Sequence, residues 1–470
     1  MATTRKPAAP RSGALHAVSL TAGKKRVKRL DVRACEGLAR TASMPADRAD
    51  GARSGVALPH LFRPAPDAEG TPARMVTRAA ALDRLGTESA FQVLARANAL
   101  ADQGRSIINL GIGQPDFRTP EHVVEAACRA LRDGHHGYTP AKGIPELRAA
   151  VADDVQARTG ASVDPEHVVV VPGGKVTMFF AITMFGEPGG EIVYPDPGFP
   201  IYESLVRYSG ATPRPLALRE ADGFAVTAEA LAAAITADTR LVILNTPGNP
   251  TGGVIPRAEM DRIAEVLARN PQTAVLSDEI YSRLTYDGAE HASLLAYPEL
   301  RDQVILLDGW SKTHAMTGWR LGYGVWPQAL VADAERLAIN SHSCVNAAAQ
   351  HAGLAALTGP QDHVAAMHAA FDARRRALVD RLNAIPGITC PQPGGAFYAF
   401  ANITGTGYSA KQLETALLEE AGVATVAGTS FGAAGEGYLR LSYANTRENV
   451  LAAAERIDAW LNGARDRRSA

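Results

Sequence analysis

The dozen residues Gly309–Arg320, GWSKTHAMTGWR, contain the parts of a covalent amine site. Lys312 follows the apolar run VILLD, so its amine stands at the end of a buried strand rather than in water. Desolvation disfavours the charged form of a lysine and leaves a nucleophile that can form a Schiff base with a carbonyl. Ser311 beside it and Arg320 eight residues on are natural donors to a phosphate. A buried lysine can also be one half of a structural ion pair, so its neighbours in space decide its role.

Other clusters of Gly, Pro and polar residues carry matching chemistry. In VVVPGGK, Gly173 and Gly174 precede an apolar helix whose N-terminus suits an anion, although a glycine pair there is also an ordinary tight turn. PDPGFP puts Phe199 in a rigid loop, where it can stack on a flat ring or simply pack. NTPGNPTGG fixes an irregular backbone around Asn249, which can bond a ligand oxygen or cap its own turn. VLSDEIY places Asp278 directly after an apolar strand and Tyr281 three residues later. Asp278 reads as a helix cap or as a carboxylate facing a cationic ring nitrogen. Ring acid, ring-stacking aromatic, phosphate ligands and amine are together the set that pyridoxal phosphate requires.

Such groups need a frame. Each cluster ends a short β-branched run, and helical stretches separate the runs. That alternation predicts an α/β fold with a mostly parallel sheet covered on both faces. Ligands of such sheets bind beyond the carboxyl ends of the strands, where all these clusters fall. After about residue 358 the pattern changes to a smaller α+β unit. The expected divisions are a basic extension over 1–74, an N-terminal segment packing with the small domain over 75–115, a large cofactor-binding domain over 116–357 and a small domain over 358–466.

The formal net charge of −1 supplies no global field for nucleic acid or an anionic membrane, and no apolar run is long enough to span a bilayer. Four cysteines lie far apart without a CxxC pair, which reads as reduced thiols in a cytosolic protein with no zinc site. Residues 1–74 are Ala-, Arg- and Pro-rich without periodicity. They read as a disordered extension of little consequence rather than a transit peptide or a nucleic-acid arm.

From about residue 80 to its end the chain resembles the class I/II pyridoxal-phosphate aminotransferases of fold type I, aspartate-aminotransferase-like. The resemblance rests on NLGIGQPDF, GYTPAKGIPELR, PGGK, NTPGNPTGG, SDEIY, SKTHAMTGWRLGY, GGAFY and LRLSYA, in that order. It implies a large domain with a helix-covered sheet and a smaller α+β domain. Lys312 would be the Schiff-base lysine and the acid–base group, in a ping-pong exchange between an L-amino acid and a 2-oxo acid. Asp278 would pair with the ring nitrogen, Tyr281 and Asn249 would reach the ring hydroxyl, and Phe199 would stack. Gly174, Lys175, Ser311 and Arg320 would surround the phosphate, with Tyr138 reaching it from the neighbouring subunit of a homodimer. Arg440 would clamp the substrate α-carboxylate, against Gly113. For the side chain of the substrate, Lys175 makes aspartate or glutamate plausible, with Asn346 as a further polar candidate. Aromatic or alanine-type substrates, a lyase or synthase on the same fold, and a regulator carrying this domain are the competing readings.

Overall fold

The computed structural model describes residues 76–469, with side chains through residue 465. The extension expected over 1–74 lies outside them. Twelve strands appear in chain order: β1 (Ile108–Asn109), β2 (Val168–Val171), β3 (Glu191–Asp196), β4 (Thr212–Ala217), β5 (Thr239–Asn245), β6 (Ala274–Asp278), β7 (Val304–Gly309), β8 (Gly322–Val325), β9 (Tyr398–Asn402), β10 (Val423–Ala424), β11 (Val426–Ala427) and β12 (Tyr438–Ser442).

Seven of them form one sheet in the order β2-β8-β7-β6-β5-β3-β4. β8 runs antiparallel to both its neighbours, and the other pairings are parallel. The near-continuous apolar runs follow from burial on both faces. Val168 and Val170 of β2, Val242 and Leu244 of β5, and Val304 and Leu306 of β7 enter one core. Their alternates, Val169, Val171, Leu241, Ile243, Ile305 and Leu307, enter the core on the opposite face. A strand with two dry faces has no room for the polar alternation of a half-exposed strand.

The C-terminal part builds its own core on an antiparallel sheet, β11-β12-β9. The N-terminal segment joins this part. β1 pairs in parallel with β10, and the Ser89–Asp102 helix buries Val93, Ala97 and Leu100 against Leu418 and Ala424. Among the described residues no helix is long and apolar enough to cross a membrane.

The parallel strands point their carboxyl ends the same way. Gly173 and Gly174 follow β2, Phe199 follows β3, Asn249 follows β5, Asp278 ends β6, and Lys312 follows β7. Asn245 and Asp278 are register partners, so the β5 and β6 ends lie level.

Candidate active site

These ends, with residues from the N-terminal segment and β12, line a cavity of about 520 Å³. That is ample for a cofactor with a small substrate. The chain leaves β7 in a single helical turn, Trp310–Thr313. Trp310 anchors this turn from below, buried, its indole N–H donating to Gly353 O at 3.0 Å. The turn presents Lys312 to the cavity, where its Nζ donates to Gly113 O at 2.7 Å. Nζ also lies 5.9 Å from the Tyr281 ring centroid and 5.7 Å from that of Phe397. Burial pushes this amine down to about 8, helped by the Arg440, Arg320 and Lys175 cations and opposed by Glu88. A lysine so placed sheds its proton far more readily than one in water.

Asp278 is buried at the cavity floor. One carboxylate oxygen accepts from the Tyr202 hydroxyl at 2.7 Å and the other from Ile280 N at 3.3 Å. Burial lifts its carboxyl to about 6, with Asp308 and Glu279 adding to the rise and the two donors opposing it. A cation brought beside it would reverse that shift.

On the phosphate side, Gly174 caps the Lys175–Phe185 helix, and the helix N-terminus opens on the cavity. Gly173 has a left-handed φ of 94°, and a Cβ built there would collide with the Arg320 guanidinium. A Cβ on Gly174 would stand 2.9 Å from Leu307 Cδ2. Arg320 itself holds φ at 53°, uncommon for a residue with a side chain, and donates to Thr317 O at 2.8 Å. Ser311 lines the same end.

Arg440 projects from β12, 3% exposed, between the rings of Tyr398 and Phe431, each 4.6 Å from its guanidinium carbon. It donates to Asn249 Oδ1 at 3.0 Å and to Gly111 O. Its Nε is buried without a partner among the described residues. A buried guanidinium with an unused donor and no carboxylate in ion-pair contact among the described residues is suited to receive one. Gly113 lies close by, and a Cβ there would press on Tyr398, 3.1 Å from its Cζ.

Of the residues singled out in the sequence, two stand apart from this cavity. Tyr138 is 95% exposed. Asn346 serves as a helix cap instead. Its Oδ1 accepts from Ala349 N at 2.9 Å at the start of the Ala347–Thr358 helix, so within this chain it does not reach the cavity as a substrate ligand. Further residues line the cavity without having been foreseen, and four of them bear on its polar chemistry. Tyr202, in IYESL, reads as an ordinary apolar helix position. Asn245 sits at the strand end, with its amide donating to Asp278 O at 3.1 Å and its Oδ1 accepting from Asn249 N at 2.9 Å. Tyr398 hydrogen-bonds Tyr281, hydroxyl to hydroxyl at 2.8 Å, and its presence in GGAFY was the available signal. Glu88 lies on the turn into the Ser89–Asp102 helix and carried no signal.

The model of the family described as "Aminotransferase class I and II" matches residues 105–457. The chain belongs to the class I and II aminotransferases. It is 39% identical over 407 residues to an aspartate aminotransferase of Streptomyces avermitilis, spanning 84% of this chain and 98% of that one. It is 37% identical over 383 residues to one from Geobacillus stearothermophilus, spanning 80% and 97%. The crystal structure of a Rhizobium meliloti aspartate aminotransferase superposes with a TM-score of 0.79 at 34% identity, covering 83% of this chain and 99% of that one. The cofactor of this aminotransferase is pyridoxal phosphate. The cavity fits it on its own terms. The glycine cradle excludes side chains where a phosphate would lie, the buried Asp278 has no cation in ion-pair contact among the described residues, and the depressed Lys312 amine suits attack on a carbonyl.

Proposed function

We propose that this aminotransferase moves the amino group of an L-amino acid of the aspartate or glutamate type to a 2-oxo acid. The observation that carries the reading is one cavity holding a depressed lysine amine and a buried guanidinium with an unused donor. Bound pyridoxal phosphate supplies the reactive carbonyl and an electron-accepting ring. Gly174, Lys175, Ser311 and Arg320 hold its phosphate, Phe199 covers the ring face, Asp278 holds the ring nitrogen, and Tyr281 and Asn249 hold the ring oxygen. Arg440 fixes the substrate α-carboxylate beside Gly113, which leaves the Cα–H facing Lys312. Lys312 Nζ, once neutral, accepts that proton and keeps it inside the cavity, acting as base and then as acid. Lys175, at the outer end, answers a second carboxylate, and the aspartate aminotransferases among its relatives support that choice. The working unit is a homodimer in which Tyr138 reaches the partner's phosphate site. Cys128, Cys344 and Cys390 are free thiols, in keeping with a cytosolic enzyme.

The test is a half-reaction screen. Holoenzyme is mixed with each amino acid, and loss of the cofactor's absorbance identifies the donors. L-aspartate and L-glutamate should respond, with one 2-oxo acid formed per amino group moved. Ammonia and pyruvate as products would instead mark a lyase. Lys312→Ala should show no response, and retained turnover in that variant would overturn the assignment.

A further inference from the structure

The outer end of the cavity contains an ion pair whose carboxylate has no part in the amino-group chemistry. The ammonium of Lys175 is ion-paired with the carboxylate of Glu88, and it lies 5.2 Å from the Phe199 ring centroid. The Glu88 side chain is 15% exposed and that of Lys175 is 45% exposed. Among the described residues Glu88 is the carboxylate in ion-pair contact with Lys175. Glu88 does not cap the helix it precedes, because its side chain makes no hydrogen bond to the first turn. Its negative field reaches inward to Lys312 and Arg440. The carboxylate lines the cavity, held there by the Lys175 ammonium rather than by the helix.

Lys175 is the proposed receptor of a substrate's second carboxylate, and a role for Glu88 in selectivity rests on that reading. One ammonium then has two claimants. An aspartate or glutamate must draw Lys175 from Glu88, or bring its own negative charge against one that is already largely buried. Both cost binding energy. An amino acid with a small apolar side chain leaves the pair intact and packs on Phe91, Ile112 and Met178, which line the same cavity. We infer that Glu88 sets the selectivity between one- and two-carboxylate substrates by competing with the substrate for Lys175. It acts as a specificity-determining residue that holds down the preference for dicarboxylates.

The experiment compares holoenzymes of the natural chain, Glu88→Gln and Lys175→Ala. Glutamine keeps the size of the side chain and removes its charge. The first readout is the ratio of kcat/KM for L-aspartate to that for L-alanine in the half-reaction. Glu88 also acts on Lys312 from a distance, but that influence falls on both substrates and cancels in the ratio. The second readout needs no turnover: absorbance titration with succinate and with butyrate, which match in length and differ by one carboxylate. Glu88→Gln should raise the aspartate-to-alanine ratio, and the succinate-to-butyrate affinity ratio, about tenfold. Lys175→Ala should lower both. Both ratios unchanged or lowered in Glu88→Gln, with Lys175→Ala still lowering them, would overturn the role of Glu88 and leave Lys175 as the distal receptor. Ratios untouched by Lys175→Ala would overturn both at once. A thermal midpoint for each variant, unchanged from the natural chain, separates these outcomes from a damaged fold.

Discussion

Lys312 and Asp278 have their proton affinities moved towards neutrality from opposite directions by one cause, burial. For Lys312 the low-dielectric site and the nearby Arg440 guanidinium bring the amine to about 8 from its ordinary 10.5. The sign is that of a cationic acid made stronger: the neutral amine persists to lower pH than in water. Capture of pyridoxal phosphate by the cofactor-free protein requires that neutral amine. The capture rate should therefore fall about tenfold for each pH unit below 8 and level off above it. A surface lysine would keep rising to about pH 10.5. Stopped-flow absorbance from pH 7 to pH 10 measures this directly, and a rate still climbing steeply at pH 9.5 would contradict the depressed amine. Of the two sites of charge, Lys312 and Asp278 were legible as residues because each interrupts an otherwise apolar strand end. The Tyr202 hydroxyl that bonds Asp278 and the Tyr398 hydroxyl that bonds Tyr281 were not, since both residues look like core aromatics until the fold turns their hydroxyls inward.

At the scale of elements, the phosphate end depends on three backbones meeting without side chains. Gly309 of β7 and Gly322 of β8 are register partners, and Gly322 in turn backs onto the Gly173–Gly174 turn. A Cβ on Gly309 would lie 2.7 Å from Gly322 Cα, and one on Gly322 would meet the Gly174 backbone at 2.8 Å from its Cα. Gly322→Val should therefore push β8 away from the turn and loosen the cradle. We expect a stability loss of about 1–3 kcal/mol, as for other overpacked interiors, together with at least about tenfold weaker retention of pyridoxal phosphate. A denaturant midpoint and a cofactor dialysis assay would show both, and a variant with full retention would remove this turn from the phosphate site. The strand runs, their burial on two faces and the convergence of their ends could all be read from apolar patterning. The reversed direction of β8 could not, because a β-branched run encodes burial and carries no mark of polarity. Likewise β1 is limited to Ile108 and Asn109, because the partner β10 offers just two residues. Asn346, a polar candidate for the substrate side chain through the family resemblance, caps the Ala347–Thr358 helix, a role its sequence context did not separate from ligand binding.

At the scale of the whole molecule, Tyr138 needs an explanation that a single chain does not offer. It lies in the GYTP stretch, 95% exposed, and Leu131, seven residues earlier in the Glu121–Arg132 helix, is 55% exposed. Aromatic and aliphatic surface of this kind is what a subunit interface covers. The proposed homodimer gives Tyr138 a place in the partner's phosphate site, and sedimentation should then report twice the 49.5 kDa chain mass. A sharper test uses two defective chains. A Lys312→Ala chain cannot form its own covalent site but still has a sound Tyr138 to lend. A Tyr138→Ala chain keeps its Lys312 but lends a weakened phosphate contact. In a two-fold dimer of one of each, Lys312 of the second chain is served by Tyr138 of the first, so one site regains every natural residue while the other loses both. Random assortment of equal amounts makes half of the dimers mixed, so about one quarter of the natural activity should return on top of the residue left in the Tyr138→Ala homodimers. Activity no greater than the sum of the two separate proteins, with exchange of subunits verified by mass, would show that each site is built from one chain alone.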